Sequence, residues 1–133
     1  MAAPKGNQFW KLRRLHSHPE QMKFRTPEDL WDACCRYFEW VEAHPLYETK
    51  VFQWKGRIIQ EHARKMRAMS IRGLLLFLPL HRSTWEDYKK RPAFDDVVEQ
   101  AESIIWDWKF TGAAAGLLNP VIIARELATR RPT

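Results

Sequence analysis

At 133 residues, with 45% hydrophobic residues, seven Trp and seven Phe, the chain carries enough apolar material for one compact domain plus an arm, which excludes disorder throughout. Its net charge of +6 alternates by segment: residues 1–25 hold six Lys or Arg against one Glu, residues 26–48 six acids against Arg36 alone, and residues 49–73 seven bases against one acid. Such blocks suit a polyanion on one surface and complementary contacts between copies on another, while the longest apolar run, residues 73–80, falls far short of the ~20 residues that cross a bilayer.

Residues 1–25 show no sustained period and read as a basic N-terminal arm, with no apolar segment of the kind that marks a signal peptide. Thr26-Pro27-Glu28-Asp29 is a helix start: Thr26 can cap free amides, Pro27 suits the first turn, and the acids favour the positive end of the dipole. A helix over 27–43 follows, with Leu30, Ala33, Cys34, Tyr37, Phe38 and Val41 on one face, ended by His44-Pro45. Cys34 and Cys35 are neighbours on that helix, where side chains diverge by about 100° and do not bridge, so reduced thiols and a cytosolic setting are expected.

Residues 48–61 change to a period of two around Lys55-Gly56 and predict a β-hairpin with a positive tip at Lys50, Lys55 and Arg57; an isolated hairpin is marginal, so it should pack on the helices or on a neighbouring subunit. Ser70 opens a helix over 71–78 broken by Pro79, and Ser83-Thr84-Trp85-Glu86 reads as a capping box starting another through Lys90. Two short helices over 70–91 joined by a turn outline a helix-turn-helix. A long helix from Pro92 carries Phe94, Val97, Val98, Ala101, Ile104, Ile105 and Trp108 in register. Gly112, the alanines at 113–115 and Gly116 mark either close helix packing or a bend, and Asn119-Pro120 starts a last helix ending near Ala128. The fold class expected is therefore mainly α: an arm at 1–25 and one helical domain at 26–133 with a single hairpin projection.

For nucleic acid there are two candidate surfaces. Arg82, Lys89, Lys90 and Arg91 offer phosphate contacts beside Thr84 and Tyr88 on an early helical face, and Lys5, Lys11, Arg13 and Arg14 of the arm could track a backbone without reading bases. Equally open is an ordinary helical pair in which Trp85 and Tyr88 are core and the charges are solvated, with the arm a solvated tail. The long stripe, above all Phe94, Val97, Val98, Ile104, Ile105 and Trp108, offers more apolar surface than so small a domain hides comfortably, which favours self-assembly. His16-Ser17-His18 and Cys34-Cys35 lack zinc spacing, and there is no Walker loop or nucleophile elbow, so neither a metal, a cofactor nor an enzyme is expected. A metal-dependent nuclease would need converging carboxylates that the pattern does not present.

Three blocks in order and spacing, MAAPKGNQFW at 1–10, KMRAMSIRGLLLFL at 65–78 and SIIWDWKFTGAAAGLLNPVIIAREL at 103–127, resemble the small terminase subunit of tailed bacteriophages of the headful-packaging podovirus type. The resemblance implies helical subunits closed into a homo-oligomeric ring, a nonamer, that binds the packaging-initiation site on double-stranded phage DNA. It also implies delivery of that DNA to the large terminase subunit, the ATPase and nuclease that the small subunit regulates, in the host cytoplasm and outside the mature virion, with no membrane involved. Residues 93–118 would then belong to the ring wall, residues 93–128 to the oligomerisation helices, and the hairpin to the periphery. Related chains often continue into a small barrel and a basic tail, whereas this sequence stops at Thr133. The alternative is a helix-turn-helix transcription regulator, which would be a twofold dimer on paired half-sites rather than a ring.

Overall fold

The computed structural model describes residues 24–129. Five helices and one hairpin follow in chain order: α1 (Pro27–Ala43), β1 (Leu46–Trp54), β2 (Arg57–Lys65), α2 (Ile71–Phe77), α3 (Arg82–Lys89), α4 (Phe94–Ala114) and α5 (Pro120–Thr129). The helix α1 is the one its sequence specifies: Thr26 Oγ1 accepts the Asp29 amide at 3.1 Å, and Leu30, Ala33, Cys34, Tyr37, Phe38 and Val41 are all buried. Both cysteines are free; burial, with Cys35 alongside, pushes the Cys34 thiol up to about 12, which keeps it protonated and inert.

The core is built by α1 against α4, with α2 packed on α1 and α3 packed on α4. The two short helices thus lean on the long ones rather than mainly on each other. Where α2 begins, Ser70 Oγ caps the Gly73 amide at 2.9 Å, and the Ser70 amide donates to Tyr37 Oη at 3.2 Å. This tight corner leaves no room for a side chain at Gly73, where an added Cβ would lie 2.6 Å from Tyr37 Oη but 3.4 Å from the ring carbon behind it. Gly73→Ala is expected to destabilise the fold by about 1–3 kcal/mol. In a Tyr37→Phe background the same change should cost distinctly less, because the atom it strikes is gone. Additive denaturation midpoints across that four-member cycle would contradict the contact.

The third helix starts two residues earlier than the capping-box reading places it, with His81 rather than Ser83 as the N-cap. Leu80 is buried and its amide donates to Leu75 O at 2.9 Å, which sets His81 extended as the N-cap and leaves Arg82 already helical. Ser83 therefore lies inside the first turn and caps nothing. The long helix likewise begins at Phe94, not Pro92, because Ala93 adopts φ 71° and breaks the path between them. At the other end the bend reading of the small-residue segment holds, with Gly116 at φ 74°, while the close approach at Gly112 is to the Leu118 side chain of the following turn, 2.6 Å from an added Cβ, rather than to another helix. Asn119 Oδ1 then accepts the Val121 and Ile122 amides at 3.0 and 3.1 Å, starting α5 as expected. A buried Lys109 on α4 grips Glu126 on α5 at 2.7 Å and fixes the pair.

The hairpin is longer than the 48–61 span and pairs without a break from Leu46↔Lys65 to Trp54↔Arg57. Side-chain contacts reinforce it towards the root, Lys65 Nζ to Glu48 Oε2 at 3.0 Å and Thr49 Oγ1 to His62 Nδ1 at 3.2 Å. Lys55 and Gly56 both take positive φ, 51° and 74°, the geometry that matches strand twist in a two-residue turn. It does not pack extensively on the helices of its own subunit.

Candidate nucleic-acid interface

The α3 region divides sharply by depth. Thr84 is 3% exposed and Tyr88 fully buried, so the two residues expected to face a groove belong to the core. Tyr88 is held by what lies around it: its hydroxyl accepts the Phe24 amide at 2.8 Å and donates to Phe24 O at 3.2 Å, and its ring stacks on Phe94 with centroids 5.0 Å apart. The amphipathic stripe of an eight-residue helix is narrow, and Thr84, Trp85 and Tyr88 fill it. The open possibility that Trp85 and Tyr88 are core is the one the structure takes.

The basic residues of this region remain at the surface, but acids share it. Arg82 lies 3.6 Å from Glu86 and Lys89 3.2 Å from Glu102, while Asp87, Asp95 and Asp96 are exposed nearby. Lys90 and Arg91, in the turn between α3 and α4, are exposed. Lys5, Lys11, Arg13 and Arg14 lie outside the described residues.

Within the α4 stripe, Val98 and Ile105 are not available to an assembly surface, while its other members are partly covered. Val98 and Ile105 are buried within the subunit, at 0% and 1% exposure, and Phe94, Val97, Ile104 and Trp108 pack against the same core, because α1 and α3 cover that side. What stays open is the far side of the α4–α5 pair. Trp106 and Phe110 stack there at 5.3 Å, Phe110 is exposed, and a groove of about 400 Å³ runs between Trp106, Phe110, Ile123 and Leu127; Leu117, Val121 and Ile122, outside that groove in the turn and on α5, are exposed as well. Sequence periodicity found the apolar helix but not which side of it its own chain would cover.

One site residue carried no sequence signal beyond its charge. Arg67, just after the hairpin, is buried: its Nε donates to His44 O at 2.8 Å and its guanidinium lies over the Trp40 ring at 4.8 Å. Trp40 in turn stacks on His44 at 4.7 Å, and Trp108 Nε1 donates to Arg67 O at 3.0 Å. The root of the hairpin is thus joined to α1 and α4.

Against known proteins, a family model described as DNA-packaging protein gp3 matches residues 20–130. The chain belongs to this DNA-packaging family. It is also 55% identical to the terminase small subunit of Salmonella phage P22 over 130 residues, covering 98% of this chain and 79% of that protein. Membership decides between the two readings of the sequence in favour of packaging over transcription regulation, and this is a packaging family rather than an enzyme family. The matched span takes in the hairpin, its Arg67 root and all five helices. Among the described residues no helix is long and apolar enough to cross a membrane.

Proposed function

We propose that this chain is the small subunit of a phage terminase, which binds the packaging-initiation site on double-stranded phage DNA, hands it to the large subunit and regulates that subunit's ATPase and nuclease. The observation that carries the reading is the 55% identity to the P22 small subunit across 98% of the chain. In this reading the protein works in the host cytoplasm as a closed homo-oligomeric ring, nine copies by the resemblance. The exposed apolar residues of α4, α5 and the turn between them, Phe110, Leu117, Val121 and Ile122, are the ones copies of the chain cover, since so many large apolar groups seldom stay in water. Duplex contact falls on Lys90 and Arg91, with Arg82, Lys89 and the arm's Lys5, Lys11, Arg13 and Arg14 adding phosphate contacts; Thr84 and Tyr88 support the α3 scaffold.

Native mass spectrometry of the whole chain should show one species of more than four copies; a stable monomer or dimer over a wide concentration range would contradict the ring. Binding to duplex DNA should weaken steeply with salt. Lys90→Ala with Arg91→Ala should lower the log-log salt slope by roughly 0.9 for each phosphate no longer neutralised, up to about two units, with the mass unchanged. An unaltered slope and affinity would remove this turn from the interface.

A further inference from the structure

We infer that the β1–β2 hairpin is a second duplex-DNA-binding element, a basic ribbon whose distal half enters a groove, with Lys55 and Arg57 on the phosphates and Trp54 and Ile58 against the groove wall.

Charge is the first reason. Distal to the middle pair Lys50↔Glu61, residues 51–60 carry Lys55 and Arg57 and no acid, in contrast to the α3 region, where Arg82 and Lys89 stand against Glu86 and Glu102. Of the hairpin's two acids, Glu48 lies near the root, engaged by Lys65, and Glu61 stands in the middle pair opposite Lys50, so neither reaches the distal half. The distal ribbon is therefore a one-sign surface, which complements a polyanion rather than a mixed protein surface.

Shape is the second reason. Paired residues share a face, so Phe52, Trp54, Arg57 and Ile59 lie on one side of the ribbon and Val51, Gln53, Ile58 and Gln60 on the other. Both sides expose large apolar groups, Trp54 at 60% and Ile58 at 70%. A flat partner, including another copy of this chain, would cover one side and leave the other wet. A groove encloses both. The major groove of B-DNA is about 12 Å wide and admits a two-stranded ribbon, and nine-residue strands at about 3.3 Å per residue reach about 30 Å from the helical body. At the tip, Lys55 Nζ lies 5.7 Å from the Trp54 ring centroid, which places a cation and an aromatic face together where the ribbon would meet the duplex.

The inference rests on the packaging reading, which provides the duplex. One titration series separates the two. The full chain, the Lys90→Ala/Arg91→Ala variant and a Lys55→Ala/Arg57→Ala variant are each bound to the same mixed-sequence duplex across a range of salt, with the native mass of each recorded. The hairpin variant should lose roughly tenfold in affinity and up to about two units of salt slope, with its mass and thermal midpoint unchanged. In parallel, DNA should quench a part of the tryptophan fluorescence that disappears in Trp54→Phe. If the unmodified chain binds no duplex, the packaging reading and the hairpin site fall together. If it binds and the hairpin variant matches it in affinity and slope, only the hairpin site is overturned. A fall in native mass in the hairpin variant would overturn it as well and assign the ribbon to contact between copies.

Discussion

Ile105→Asp is expected to abolish the folded subunit, not merely to loosen an assembly. Ile105 is 1% exposed and sits in the cluster where α4 meets α1, so the change removes the whole transfer free energy of a buried Ile and forces a carboxylate into an apolar site. Loss of a buried large aliphatic side chain costs about 2–5 kcal/mol, and an unpaired buried carboxylate adds several more unless it takes up a proton. Against a total stability of about 5–15 kcal/mol, little remains. Circular dichroism should show loss of the cooperative thermal transition. Ile122→Asp is the paired control: Ile122 is exposed, so this variant should keep its helical spectrum and transition while its native mass drops. A folded Ile105→Asp monomer would reverse the assignment and return Ile105 to a subunit contact.

That contrast also shows where the sequence was legible. The helix α1 was readable to its ends because its signals are local: a Thr-Pro start, acids in the first turn, a 3.6-residue apolar period and a terminating His-Pro. The Asn119 cap and the Lys55-Gly56 turn were readable for the same reason. Start signals failed where tertiary contacts outrank them. Ser83-Thr84-Trp85-Glu86 has the letters of a capping box, yet burial of Leu80 and of Thr84 itself pulls the helix start back, and the Thr84 side chain goes to the core. The groove-reading roles expected of Thr84 and Tyr88 failed likewise, since a polar side chain on an amphipathic helix carries no mark of which neighbour will cover it.

For the candidate site, the sequence offered charge but not its surroundings. Segmental charge marked the basic stretches, and the structure distinguishes those interleaved with acids, around α3, from the hairpin's acid-free tip, a distinction of neighbours in space that periodicity does not encode. The apolar period of α4 similarly announced a buried stripe without saying that α1 and α3 bury it within the subunit, leaving the α4–α5 flank as the open surface.

The hairpin projects usefully only if its root is rigid, and Arg67 is the residue that makes it so. Arg67→Ala would leave the His44 carbonyl without its 2.8 Å donor and take the guanidinium off the face of Trp40, which also stacks on His44. Losing a charged hydrogen bond to a buried acceptor costs about 1.5–3 kcal/mol, and a desolvated cation–π contact up to about 2 kcal/mol. The expected destabilisation is therefore about 2–4 kcal/mol, read as a lower denaturant midpoint. Burial already pulls the Arg67 proton affinity below the usual guanidinium range, with Tyr37 opposing, so a buried amine at this position has more to lose. Arg67→Lys should recover only part of the loss, because an ammonium neither stacks flat on the indole nor presents the Nε–H to His44 O. Hydrogen exchange should show the effect beyond stability: amides of β1 and β2 nearest the root, which bond across the strands in the parent, should exchange faster in Arg67→Ala at matched stability. A midpoint unchanged within error in the Ala variant would show that the root is held by backbone pairing alone.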